Sequence, residues 1–235
     1  NAQDPEHWRD THFKVEGPVV AQMQSVFLDN WVKETGVVLH GPAYFPELSP
    51  AGSGRAQMFS SSPSGGSESM QLMYLMAITA AQHSIDLSSA YFVPDELTLR
   101  TLIDALKRGV KVRVVTPGPH TDTQTVGAAS RALWGRLMQA GAEIHEYQPT
   151  MYHCKVMIVD TLLVSVGSTN FDNRSFRLND ESNLNIYDAQ FAREQTEIFA
   201  RDLAQSKRMT MDAWRNRPWT QQLWERAAGL LGSQL

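Results

Sequence analysis

From residue 68 onward, short apolar runs alternate with segments of helical period, and this alternation constrains the fold more than any other feature of the chain. The period predicts helices over 68–82, 122–139, 190–206 and 219–231. Another is opened by Asp95 as its cap. In it Leu99, Leu102, Ile103 and Leu106 fall at i, i+3, i+4 and i+7, and Gly109 ends the run. Between the helices, 84–92, 110–116, 142–147, 154–159, 162–166 and 182–187 read as strands, with a tight turn at Asp160-Thr161. Residues 110–116 form a continuous apolar run of the kind buried inside parallel sheets. Strand–helix alternation followed by a strand-rich stretch predicts an α/β sandwich with a mixed sheet.

The N-terminal part reads differently. Residues 17–35 have helical period through Val20, Met23, Phe27 and Trp31, with Gly36 as the stop. Residues 41–67 have the Gly, Pro and Ser content of a linker, interrupted by one short strand at 56–59. The expected division is therefore 1–36, a linker over 37–55, and a main lobe over 56–235. Asn1-Ala2 reads as a tag scar, and no internal repeat stands out. Composition excludes several classes. With 42% apolar and 20% charged residues a sizeable core is expected and disorder is not. A net charge of −4 argues against a duplex-binding protein, so no nucleic-acid partner is expected. A single cysteine, Cys154, leaves no internal disulfide. No apolar run reaches membrane-span length, so membrane contact must be peripheral or come from a segment outside this chain.

The chemistry concentrates in residues 152–177. His153-x-Lys155 is followed after four intervening residues by Asp160, then by Gly167-Ser168-Thr169-Asn170, and Glu181 comes eleven residues after Asn170. Strand alternation puts His153 and Lys155 on one face and Cys154 on the other. Ser168 and Asn170, also two apart, share a face at the end of the next strand. An imidazole, an ammonium, a hydroxyl and a carboxamide at one place suit an anion. Lys155 supplies charge, Ser168 and Asn170 supply donors, and His153 supplies a nucleophile or a proton. A carboxylate on the imidazole would fix its tautomer, and Glu181 is a candidate. A phosphodiester fits, since fixed donors stabilise charge on its non-bridging oxygens.

These residues resemble the phospholipase D superfamily. Its H-x-K-x4-D motif followed by G-S-x-N is matched by His153, Lys155, Asp160, Gly167, Ser168 and Asn170, and its downstream acidic residue by Glu181. Residues 90–96, 108–113, 173–179 and 212–218 narrow the resemblance to bacterial cardiolipin synthases. The family carries two such motifs, one per lobe, across a pseudo-two-fold axis; here there is one. His12-Phe13-Lys14 mimics the start of another, but Val19 stands where Asp should be. Trp8-Arg9-Asp10 and Gly17-Pro18 instead resemble the stretch directly after the family's first motif. The resemblance thus implies the C-terminal half of a two-motif enzyme, with 1–36 a remnant following the first motif, and Asp10 as an acidic partner for an active-site histidine.

The resemblance further implies phosphatidyl transfer through a phosphohistidine, as in cardiolipin synthesis from phosphatidylglycerol. No cofactor or metal is implied, and His7, His12, His40, His83, His120 and His145 show no metal-ligand spacing. The implied partners are a phospholipid substrate, a membrane surface, and either the missing N-terminal lobe or a homodimer partner. The full-length protein is expected at the cytoplasmic membrane and this chain in solution. Two other readings stand beside this one: a single-motif phosphodiesterase or nuclease active as a homodimer, and a non-catalytic lobe.

Several residues have plainer readings. Asp160 has the parity of Cys154, so its expected role is to close the turn, and Cys154 is expected in the core. The segment 60–66 lacks the Lys and spacing of a phosphate loop and reads as an ordinary flexible loop. Trp214, Trp219 and Trp224 fall on no single helical face and are expected to pack between helices.

Overall fold

The computed structural model describes residue 4, residues 7–63 and residues 69–230. Its elements are β1 (Trp8–Arg9), α1 (Val19–Thr35), β2 (Arg55–Ser61), α2 (Ser69–Ala80), β3 (Ser84–Ser89), β4 (Phe92–Val93), α3 (Glu96–Lys107) and β5 (Lys111–Pro117). Next come α4 (Gln124–Gln139), β6 (Glu143–Tyr147), β7 (Met151–Tyr152), β8 (Lys155–Val159), β9 (Leu163–Gly167), β10 (Phe171–Asp172) and α5 (Asn173–Arg177). The chain continues through β11 (Glu181–Tyr187), α6 (Ala189–Ala204), β12 (Ser206–Met209), α7 (Met211–Arg215) and α8 (Trp219–Leu230).

Eight strands form one mixed sheet in the order β12-β6-β5-β3-β8-β9-β11-β2. β5 lies between β3 and β6 and is parallel to both, which is the setting its uninterrupted apolar run calls for. Parallel neighbours need a crossover, and α3 and α4 supply the two. The other ladders of this sheet are antiparallel. Side chains alternate faces along each strand. Ile85, Leu87, Val112, Val114, Met157 and Val159 face α2, α3 and α4. Val115, Val156, Ile158, Val164, Val166 and Leu184 face α6, with Phe13 and Val15 of the N-terminal segment beside it. The result is the expected α/β sandwich.

Local chemistry sets the element ends. The Asp95 carboxylate accepts from the Thr98 N–H at 2.8 Å and opens α3, and Asp188 caps α6 in the same way through the Phe191 N–H at 2.9 Å. At the β8–β9 turn Asp160 and Thr161 both adopt left-handed backbone, with φ of 52° and 53°. The Asp160 carboxylate accepts from the N–H groups of Gln82, His83 and Ser84 at 2.7–2.8 Å, so it ties this turn to the entry of β3. Burial alone would raise the Asp160 pKa, but these three N–H groups hold it below the ordinary value.

Some expectations need correction. The strand over 84–92 breaks at Ser89, whose hydroxyl turns back to the Tyr91 carbonyl at 2.7 Å; Phe92–Val93 then pairs with Phe171–Asp172 instead. The helix over 190–206 stops at Ala204, and β12 pairs with β6 at the sheet edge. The short strand at 56–59 extends over Arg55–Ser61 and closes the opposite edge, so Ser60 and Ser61 belong to a strand; 64–66 lie outside the described residues. Among the tryptophans, Trp214 packs on Gly135 and donates to the Arg131 carbonyl at 2.8 Å. Trp219 and Trp224 are 74% and 52% exposed, because α8 turns Glu225 and Ala228 inward instead. Among the described residues, no helix is long and apolar enough to cross a membrane.

Candidate active site

The site forms where β8 begins, because β7 and the N-terminal β1 run side by side just before it. Trp8 pairs with Met151 and Arg9 with Tyr152, and the His153 N–H donates to the Arg9 carbonyl at 2.9 Å. This register carries Asp10 to His153: Asp10 Oδ2 lies 2.9 Å from His153 Nδ1. The Trp8 indole lies against the imidazole at 4.3 Å between ring centres. Asp10 also accepts from the Thr11 N–H at 2.9 Å. Partial burial raises the Asp10 carboxyl, but the bonds from His153 and Thr11 outweigh it, so the group sits below the ordinary aspartate value. An ionised carboxylate on Nδ1 places the ring proton there and leaves Nε2 for chemistry.

The alternation over 153–155 places Cys154 in the core beneath α6, where burial pushes its thiol up to about 11. Lys155 instead lines a cleft of about 270 Å³ together with Asp10, Thr11, Gly167 and Ser168. Its Nζ donates to the His153 carbonyl at 2.8 Å. Burial lowers the Lys155 pKa, against an opposing pull from Asp10, Cys154 and Glu181. His153 is not among the cleft's lining residues; it stands beside it, joined through Asp10 and through its own carbonyl.

Three expectations are corrected here. Glu181 does not meet His153. It is buried at the start of β11, accepts from the Ser168 hydroxyl, and takes a further bond from Asn179 Nδ2 at 3.2 Å. The β9–β11 register holds it beside the Gly167-Ser168 corner, whereas Asp10 arrives at the imidazole through the β1–β7 pairing. Ser168, expected as a donor to the anion, has its proton committed to Glu181 and its backbone N–H to the Ser182 carbonyl at 3.1 Å. Asn170 is buried away from the cleft lining; its Oδ1 accepts from the Tyr91 N–H at 3.3 Å, and its Nδ2 donates to nothing among the described residues. Gly167 permits this corner, since a Cβ there would run into the Ser182 carbonyl and Asn183 Oδ1.

Residues that spacing did not point to also converge. Arg9 Nε and Nη2 donate to both oxygens of Asp202 on α6, at 3.0 and 2.9 Å. The Tyr91 phenol donates to Asp122, and burial together with that bond pushes its pKa up to about 12. Arg9 stands in the segment that carries the family resemblance, but nothing in its neighbourhood names a partner 193 residues away. Among the described residues, no three His, Cys, Asp or Glu side chains gather as metal ligands.

A family model described as cardiolipin synthase, PLD-like domain, matches residues 74–203, more than half of the chain. Curated relatives include the cardiolipin synthase of Halalkalibacterium halodurans, 36% identical over 233 residues, covering 97% of this chain and 46% of that protein. Cardiolipin synthase A of Pseudomonas putida is 36% identical over 95% of this chain and 46% of its own length. The chain thus spans about half the length of these relatives. Among solved structures, Nuc of Salmonella typhimurium, a phospholipase D family member, superposes with a TM-score of 0.57 at 26% identity, over 67% of this chain and 99% of Nuc. The phosphatidylserine synthase of Haemophilus influenzae superposes at 0.63 and 17% identity, over 80% of this chain and 50% of that one, a likeness of fold.

Proposed function

This chain belongs to the cardiolipin synthase, PLD-like domain family, and from that premise we propose that it supplies one half of a phosphatidyl-transfer active site. The observation that carries the proposal is Asp10 on His153 Nδ1 beside a cleft floored by Lys155. His153 Nε2 is then the proton carrier. A second imidazole attacks phosphorus, forming an N–P bond as the P–O bond to the leaving alcohol breaks. His153 gives its proton to that leaving oxygen. In the second step it takes the proton of the incoming alcohol, whose oxygen displaces the imidazole and restores both rings. Lys155, which lines the cleft, offsets charge on the non-bridging oxygens. The proposed reaction is cardiolipin formation from phosphatidylglycerol, with the second imidazole coming from another lobe or from a second copy. The 46% coverage of the relatives supports this half-site reading.

Turnover of phosphatidylglycerol vesicles, measured against protein concentration with oligomer size followed by light scattering, tests it. Activity should rise faster than linearly with concentration, or return when a lobe bearing a second motif is supplied. Robust turnover by a strictly monomeric sample would remove the two-imidazole requirement. Cleavage of DNA with no lipid turnover would favour the homodimeric phosphodiesterase instead.

A further inference from the structure

Asp10 is half exposed, and among the described residues its carboxylate is held only by the Thr11 N–H and by His153 itself. Its position must therefore come from its neighbour in sequence. Arg9 is that neighbour, and its side chain is buried to 17% exposure against an Asp202 side chain exposed by 7%. The guanidinium engages both Asp202 oxygens in a fork, and its remaining nitrogen, Nη1, donates to the Asp10 carbonyl at 2.6 Å and approaches Cys154 Sγ at 3.6 Å. A bidentate guanidinium–carboxylate pair fixes direction as well as distance. Asp202 is held in turn: Tyr152 Oη lies 3.1 Å from its Oδ2 and 2.8 Å from Ser88 Oγ on the central strand β3. The chain of contacts runs from the sheet through Tyr152 and Asp202 to Arg9, and from there to the peptide that bears Asp10.

We infer that Arg9 and Asp202 are positioning residues that hold Asp10 against His153. The inference rests on the role given to His153 above, but its test does not need turnover. The couple works through geometry. Arg9 shares its peptide with Asp10, and its carbonyl accepts the His153 N–H, so one residue sets the separation of both members of the pair. Asp202, on the last turn of α6, links that setting to the packed face of the sheet.

The test is proton NMR of the chain with labelled histidine. The His153 Nδ1–H bound to Asp10 should give a downfield, slowly exchanging signal that Asp10→Asn removes. Asp202→Asn, which keeps size, and Arg9→Lys, which keeps charge but not the fork, should each speed its exchange by about tenfold or more while the fold is retained. Arg9→Lys should exchange more slowly than Arg9→Met, since it restores part of the contact. Glu225→Gln, which breaks a separate buried ion pair at Arg217, controls for general loosening. Absence of the signal in the parent overturns the inference. So does exchange unchanged in both variants, or equally fast in Glu225→Gln. A chain that shows this pattern yet turns over no phospholipid, at high concentration or with a lobe bearing a second motif supplied, would instead refute the functional reading and leave the positioning couple standing.

Discussion

Lys155→Met should cost anion affinity without costing stability. Vanadate or phosphate bound in the cleft meets an ammonium whose three protons include one already given to the His153 carbonyl, leaving two for the ligand. A hydrogen bond to a charged group contributes roughly 1.5–3 kcal/mol. At about 1.4 kcal/mol per decade, the variant should bind roughly 10–150-fold more weakly. Burial already lowers the Lys155 pKa, so the ammonium is lost at a lower pH than for an ordinary lysine, and parent affinity should fall as pH rises through that lowered value. The same burial means that the charged form costs stability in the folded state; this cost is full below the folded pKa, shrinks as pH rises above it, and is gone above the ordinary value of 10.5. Replacing the side chain by an apolar one removes that cost. The Tm of Lys155→Met at neutral pH should therefore equal or exceed the parent's. Calorimetric titration with vanadate at low ionic strength, beside a melting curve, reads both quantities; exposed Lys111→Met serves as the control and should change little. Equal affinity in the folded variant and the parent would refute the placement of the anion at Lys155.

Two further outcomes concern the corners that frame the cleft. Asp160→Ala removes the carboxylate that accepts three N–H groups and should lower stability by about 1.5–3 kcal/mol at neutral pH in urea unfolding. Because its folded pKa is depressed, that contribution is present above the ordinary value of 3.8 and is lost as pH falls through the folded value, so parent and variant should converge in acid; a constant gap would contradict this. Gly167→Ala forces a Cβ onto Ser182 and Asn183 and should destabilise by about 1–3 kcal/mol, while also displacing Ser168 and Glu181; a loss under roughly 0.5 kcal/mol would show that the corner yields freely.

Much of the fold was legible because it is local. Helix period, the Asp95 cap, the Gly109 stop and the buried run of β5 all lie within a few residues of the features they control, and a mixed sheet packed between helices, as expected, is what forms. The two-residue period likewise separates Cys154 from Lys155 with no knowledge of the surroundings. The short strands were not legible. β12 carries Ser206-Lys207-Arg208-Met209, which has no strand pattern of its own, and it is a strand only because the edge of β6 offers it partners. The site divides in the same way. Spacing brought out His153, Lys155, Ser168, Asn170 and Glu181, since all come from one stretch of chain. It could not say which carboxylate meets the imidazole. Glu181 is the nearer in sequence, but β-register gives its oxygens to Ser168 and Asn179, and the parallel pairing of β1 with β7 brings Asp10 across 143 residues to His153. Arg9 and Asp202, 193 residues apart, meet for the same reason. A residue's periodicity is a property of its own segment, whereas the partner of a charged group depends on which segments the sheet and α6 bring side by side, and only the folded chain decides that.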